Sequence, residues 1–244
     1  MKENKYDDND FFSHYSKMPR SVGGLLSAGE WHEFQKLLPD MKGKSVLDLG
    51  CGYGWHCRYA AELGAQSVVG IDLSEKMLKV ARDRTNDERI TYMRGAIEDI
   101  NFEKESFDLI ISSLAFHYIK SFEQICVKLS EVLKYKGNLV FSVEHPVFTA
   151  FGNQDWIYDE KGNKIHWPVD NYFIEGSREA VFLGHRIIKY HRTLTTYINS
   201  LINNGFIINK IIEPLPSKEM LEKNESMREE FRRPMMLIIS AYKN

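Results

Sequence analysis

Cysteine is scarce in this chain of 244 residues. Cys51, Cys57 and Cys126 are the full set, none forms a CxxC pair, and an odd number builds no disulfide framework. Such usage suits a reducing compartment, so a cytoplasmic protein is expected. Long apolar runs are missing as well, and none approaches the roughly 20 residues of a membrane span. The opening stretch, Met1 to Asp8, is polar and offers no apolar signal core. Net charge is nearly absent: 32 basic residues face 34 acidic ones, a formal balance of −2. That leaves no electrostatic footprint for a nucleic-acid backbone or an anionic membrane, and neither is expected as a partner. There is no internal repeat and no low-complexity linker.

What the chain does have is core material. Hydrophobic residues make up 43%, and 14 Phe, 12 Tyr and 4 Trp supply rings for both a core and a pocket. From Lys44 the pattern alternates strand and helix. Ser45–Leu49 is a short apolar run ending in glycines. Tyr53 to Leu63 reads as a helix stopped by Gly64. Ser67–Ile71 is a second strand, and Ser74 caps a helix with Met77, Leu78 and Ala81 on one face. Ile90–Met93 and Phe107–Ser112 are further strands. Phe122, Ile125, Cys126, Leu129, Val132 and Leu133 form a helical stripe, expected to end at Gly137 before a fifth strand over 138–143. Leu194 to Ile202 restores a helix closed by Gly205, and 206–212 and 235–242 finish as strands. Alternation at this spacing implies parallel βαβ units in an open, doubly wound α/β sheet with helices on both faces.

Two segments stand outside that rhythm. Residues 1–43 read as an amino-terminal cap, with an aromatic helical stretch at Trp31 and Phe34 closed by Pro39. Residues 146–188, within a main domain of 44–244, read as an irregular insertion after strand five, rich in Gly, Trp and Tyr. The charged stretch 218–233 reads as a solvated helix.

The chemistry concentrates at Val46-Leu47-Asp48-Leu49-Gly50-Cys51-Gly52-Tyr53-Gly54-Trp55. A strand runs into a glycine turn and a helix, at the sheet edge where doubly wound folds bind ligands. Glycines there let a ligand approach the main chain. Strand two ends at Asp72, about 20 residues on, where a carboxylate can hold both hydroxyls of a ribose. The dinucleotide fingerprint would require a third glycine where Trp55 stands, which opposes a pyrophosphate loop and a nicotinamide dehydrogenase. Asp48, just ahead of the loop, suits a cationic ligand better than a phosphate.

Val46 to Trp55 resembles motif I of the class I S-adenosylmethionine-dependent methyltransferases. Val68 to Ser74 resembles the segment that follows it, and Ser106 to Ile110 and Leu133 to Leu139 resemble later motifs of the small-molecule branch. The likeness spans about 44–144. Tyr15 to Ser21 and Glu144-His145-Pro146 are similar to a bacterial subgroup of poorly defined substrate. The resemblance implies a seven-stranded, mostly parallel Rossmann-like sheet whose last strand is antiparallel. It also implies S-adenosylmethionine as cofactor and a small-molecule acceptor. The backbone at Gly50, Cys51 and Gly52 would then face the methionine part, with Asp48 near the ammonium. Asp72 would grip the ribose, Leu73 and Met77 would lie beside the adenine, and Ile97 and Glu98 would border its other edge. Ser113 and Leu114 would close the methionine side. The family commonly has an aspartate where this chain has Ala96, so the adenine amino group falls to Glu98 or to the backbone. The same fold without turnover, a cofactor-binding sensor or partner subunit, is the competing expectation.

Methyl transfer is an in-line displacement that needs position above all, with a general base where the acceptor requires one. His117 follows strand four and His145 follows strand five, so these are the catalytic candidates, with His191 behind them. His56 and Cys57 adjoin, but no HxxxH or CxxC pattern supports a metal, and none is expected. Tyr15 and Arg20 are cap candidates over the cofactor, Arg20 as partner of its carboxylate. Trp156, Tyr158, Trp167 and Tyr172 read as packing for the insertion, or else as an acceptor pocket. The cap and the insertion are expected to meet over the carboxyl ends of strands one, four and five.

Overall fold

The structure is a computed structural model and describes residues 4–244. Residues 1–3 of the expected cap lie outside the described residues. Eleven strands occur among the described residues. They are β1 Ser45–Leu49, β2 Ser67–Asp72, β3 Ile90–Arg94, β4 Phe107–Ser113, β5 Leu133–Glu144, β6 Ile157–Tyr158, β7 Lys164–His166, β8 Gly176–Phe182, β9 His185–His191, β10 Phe206–Ile212 and β11 Met236–Lys243. Seven of them form one sheet in the order β10-β11-β5-β4-β1-β2-β3. β1 to β5 pair in parallel, and β11 lies between β5 and β10, antiparallel to both.

Strand alternation sorts the core into two layers. Leu47, Leu49, Ile110 and Ile239 point to the face covered by α6 (Phe122–Val132) and α8 (Leu194–Asn203), where they meet Phe122, Leu129 and Tyr197. Val46, Leu109, Ile111 and Ile238 point to the other face, against α3 (Trp31–Phe34), α4 (Trp55–Glu62) and α5 (Glu75–Asp83). Helices therefore lie on both faces of the sheet.

Several boundaries differ from the sequence reading. α4 ends at Glu62, and Gly64 at φ 85° completes the turn as expected, with the Ala65 N–H returning to the Ala60 carbonyl. Gly137 is not a helix stop. α6 ends at Val132, and residues 134–137 bulge out of the β4–β5 ladder, with Lys136 rather than Gly137 at positive φ, 57°. The charged stretch is helical in two pieces, α9 (Lys218–Lys223) and a 3-10 segment over Glu225–Arg232, parted at an extended Asn224.

The insertion is less irregular than its composition suggests. After α7 (Pro146–Thr149) it contains the small β6–β7 pair, and it leads into a regular hairpin of β8 and β9 joined through Leu183-Gly184. Both turn residues hold positive φ, 52° and 80°, as a tight two-residue hairpin turn demands. The amino-terminal segment carries α1 (Asn9–Ser16) and α2 (Pro19–Gly23). Phe11 of α1 is fully buried against Ala180 and Ile187 of the hairpin, with Tyr6, Tyr15 and Tyr118 around it. The two segments thus meet over the edge formed by Leu49, Asp72, Ser113 and Glu144. Among the described residues no helix is long and apolar enough to cross a membrane.

Candidate active site

A cavity of about 940 Å³ opens under this cover. Sites for one drug-sized ligand run to roughly 300–1,000 Å³, so this space stands at the top of that range. The cavity draws on the strand ends, the glycine loop, the cap and the hairpin.

The glycine loop is tied to the next strand. Gly50 and Cys51 N–H both donate to the Ile71 carbonyl, at 2.8 and 2.9 Å, and Gly52 N–H donates to Asp72 Oδ2 at 2.9 Å. Gly50 stands at φ 76°, and a Cβ there would lie 2.5 Å from the Ala115 methyl. Gly52 stands at φ 53° and faces open space. The first glycine thus serves close packing, and the second keeps the cavity clear. Trp55 lies against Gly24 of the cap, with the Arg58 and Arg84 guanidinium groups over its ring at 4.6 and 5.5 Å.

Asp72 lines the cavity and is held from behind, its Oδ1 accepting from Ser74 N–H at 2.9 Å. Burial pushes its pKa up to about 6 against the pull of these backbone donors. Ser74 caps α5 and donates Oγ to Asp7 at 2.6 Å, which fastens the cap to this corner. Leu73, Met77, Ala96, Ile97 and Glu98 continue the same wall. The Glu98 carbonyl is occupied, accepting from Lys128 Nζ at 2.6 Å. Asp48 does not line the cavity. It is buried beneath the loop, accepts from Cys57 Sγ at 3.3 Å, and burial pushes its pKa up to about 7.

Ser113 and Leu114 lie on the far side of the loop, with Leu114 at φ 53°. There Arg20 Nη2 donates to Glu30 Oε1 and to Ser113 Oγ, both at 3.2 Å, and Ser113 Oγ donates to Glu30 at 2.9 Å. Burial alone would raise the Glu30 carboxyl, but Arg20 and the hydrogen bonds outweigh it and hold the group below its usual value. Glu30 went unread in the sequence. Its one signal is a charge between Gly29 and the core residue Trp31. Among the described residues, Glu30 Oε2 and Asp48 Oδ1 have no hydrogen-bond partner. Tyr15 also lines this end, its ring edge-on to Tyr53.

Of the two candidate histidines, one reaches the cavity. His117 is buried on its wall, and its Nδ1 accepts from Glu144 N–H at 3.4 Å. Burial lowers its pKa to about 4, so near neutral pH the ring is uncharged and carries its proton on Nε2. His145 is turned away. Its Nδ1 caps α7 through Val147 N–H, and Glu213 lies 2.8 Å from its Nε2. His191 is likewise off the wall, bonded to Thr149 Oγ1 and the Tyr172 carbonyl.

Beside His117 lies a cluster that motif reading missed. Lys189 Nζ donates to Glu144 Oε1 at 2.5 Å and to Gln154 Oε1 at 2.8 Å, and Gln154 Nε2 donates to Glu144 Oε2 at 2.5 Å. The Lys189 side chain is 3% exposed. Burial would raise the Glu144 carboxyl, yet Lys189 holds it below its ordinary value. Trp156 and Trp167 stack around Arg233, which lies 5.5 and 4.5 Å from their rings, at a separate surface cleft. On the outer surface Asp10, His14 and His185 bring potential ligand atoms within 4.8 Å, with His185 paired to Asp10 at 2.9 Å.

Residues 47–141 match the family described as Methyltransferase domain. The solved structure of a Listeria monocytogenes protein, assigned to the S-adenosylmethionine-dependent methyltransferases, is 57% identical. The alignment covers 91% of this chain and 99% of that one, with a TM-score of 0.87. An S-adenosylmethionine-dependent methyltransferase from Mesorhizobium loti is 40% identical over 90% of this chain and all of its own, with a TM-score of 0.84. A Haemophilus influenzae protein of uncharacterised function is 36% identical, over 98% of this chain and 96% of its own. With identity and coverage of this extent, the chain belongs to the S-adenosylmethionine-dependent methyltransferases.

Proposed function

We propose that the protein transfers the methyl group of S-adenosylmethionine to a small organic acceptor held in the same cavity. The observation that carries this reading is the continuity of the space. One enclosure runs from Asp72 past the glycine loop to His117, Glu144 and Lys189, under a lid built from the cap and the hairpin.

The residues fit the cofactor. Gly52 leaves open space, and the Asp72 oxygens, each accepting one backbone N–H, keep capacity for ribose hydroxyls. Leu73, Met77 and Ile97 offer apolar flanks for the adenine. The Glu98 carbonyl already accepts from Lys128, so the Glu98 side chain is the freer acceptor for the amino group, and backbone N–H groups can donate to the ring nitrogens of the edge. The acidic Glu30 lies where an ammonium needs an acceptor, and Arg20 offers further N–H groups to a carboxylate. Asp48 acts from beneath the loop. When bound, the cofactor supplies an electrophilic methyl group on a sulfonium. The chain's own work is to line up the acceptor and exclude water, which the tyrosine-rich cover accomplishes.

The test incubates the purified protein with methyl-labelled S-adenosylmethionine and a fraction of bacterial metabolites below about 1 kDa. Label is expected to pass to a small molecule. Calorimetric binding of the cofactor without any transfer, or transfer to macromolecules alone, overturns the proposal.

A further inference from the structure

We propose that the Glu144–Lys189–Gln154 cluster, with His117, is the methyl-facing wall of the cavity, and that it takes an acceptor whose reacting group is an uncharged hydroxyl, with Glu144 receiving its proton. The inference rests on the cofactor reading above. The strand order is β5-β4-β1-β2. A ligand laid from Asp72 at the end of β2 to Arg20 and Ser113 at the end of β4 leaves the space toward β5 free. Glu144, the last residue of β5, borders that space, facing Lys189 from β9.

A nearly fully buried lysine–carboxylate pair carries a desolvation cost that an apolar pair would avoid. Its place on a cavity wall, rather than in the core, gives that cost a purpose. The charges of this part of the cavity are matched: Arg20 with Glu30, Lys189 with Glu144, and an uncharged His117. An anionic acceptor would meet Glu144, and a cationic one would meet Lys189. A hydroxyl suits both. It donates to Glu144 and accepts from His117 Nε2–H, while its body rests on Phe148, Phe182 and Ile187 of the same cavity. As the acceptor oxygen bonds the methyl carbon, the carbon–sulfur bond breaks and its electron pair stays with sulfur. The hydroxyl proton passes to a Glu144 oxygen, so the positive charge lost from sulfur ends as that proton. His117, in the tautomer that accepts from Glu144 N–H, orients the oxygen and is not the base.

The probe is sinefungin, which carries an amine where the cofactor carries its reactive methyl group, compared with S-adenosylhomocysteine, which carries neither. Calorimetry on the full chain gives the ratio of the two dissociation constants. In Glu144→Gln the amine faces an unpaired Lys189, and sinefungin weakens at least about tenfold relative to S-adenosylhomocysteine. Gln154→Glu, at a half-buried position beside Glu144 and Lys189, adds acidity to the wall and tightens sinefungin at least about threefold. Retained S-adenosylhomocysteine binding reports that each variant is folded. A ratio unchanged in Gln154→Glu and in any folded Glu144→Gln overturns the placement while the cofactor reading stands. Failure of the wild-type protein to bind either ligand removes both. The labelled product of the transfer assay, identified by mass spectrometry and NMR, decides the acceptor group. A methyl ether is expected, whereas a base-labile ester, a methylamine, a thioether or a C-methyl product overturns the hydroxyl assignment.

Discussion

The two ends of the cavity are made by different means. At the Asp72 end the wall is largely main chain and comes from neighbouring stretches of sequence. The loop at Gly50–Gly52, the end of β2 and the turn at Ala96 are locked to one another by backbone N–H groups. At the Glu144 end the wall is side chains, brought from β4, β5, the insertion and the hairpin. Backbone geometry is insensitive to most substitutions, while a side-chain wall changes with each one. On the proposed reading the first end would hold the cofactor, and the second would take the acceptor and change with each substitution.

That contrast is breakable by experiment. The largest effect is expected at Gly52. Gly52→Val places a branched side chain in space that is open and strains a residue at φ 53°. Cofactor affinity should fall more than about a hundredfold with circular dichroism unchanged. Normal binding in the folded variant would mean that the backbone end is not the cofactor end. Next comes the joint between cap and hairpin. Phe11→Ala empties a fully buried site and should cost about 3–5 kcal/mol, the usual range for such a truncation. Hydrogen exchange should quicken in α1 and in β8–β9, while the amides of β1 and β4 stay protected. Equal loss everywhere would show that the cap is part of the central fold and not a separate cover.

Asp72→Ala should weaken the cofactor tenfold to a hundredfold, from a charged hydrogen bond of about 1.5–3 kcal/mol. A calorimetric constant unchanged in the folded variant would move the ribose elsewhere. The smallest effect is one of pH. On the proposed reading the ionised carboxyl accepts from the ribose, and burial raises its pKa to about 6. Affinity should be level above that value and about tenfold weaker at pH 5, one unit below it. Asp72→Asn should show no such slope. In the ligand-free protein the share of stability owed to Asp72 should run the other way. Its folded pKa of about 6 lies above the ordinary 3.8, so the folded chain holds the extra proton, and that share is lost as pH rises from about 4 to about 6. The buried His56 and His117, lowered to about 4, act with the opposite sign over the same interval, so the comparison is with Asp72→Asn. A wild-type melting temperature that does not fall relative to that of Asp72→Asn between about pH 4 and about pH 6 would contradict the burial of Asp72.

The proposed cofactor end was legible because its signals lie close together in the chain: strand, glycines, helix, and Asp72 at the next strand end. The Glu144 end was hidden for identifiable reasons. The hairpin turn is Leu183-Gly184, without the Asn or Asp that usually marks two positive φ angles, so β8 and β9 read as loop. With β9 recognised, Lys189 would have stood out, since alternation sets it in line with the buried Ile187 and His191. Glu144 was passed over for its neighbour His145, although the last position of β5 faces the cavity and the next one caps α7. Arg20 was readable as a cap residue, but its partner Glu30 sits in a stretch with no repeating pattern, and only three-dimensional packing joins them.

The position of β11 bears on how the protein comes to be made. β5 and β10 each wait for the same partner, and that partner is the last strand of the sheet to be synthesised. Until it arrives, a nascent chain on the ribosome presents two long unpaired edges, one of them bordering β4 at the middle of the sheet. Edges of that kind pair readily with foreign strands. From this topology, chains cut short before Met236 are expected to aggregate, which expression of a chain ending at residue 235 and measurement of its soluble fraction would check.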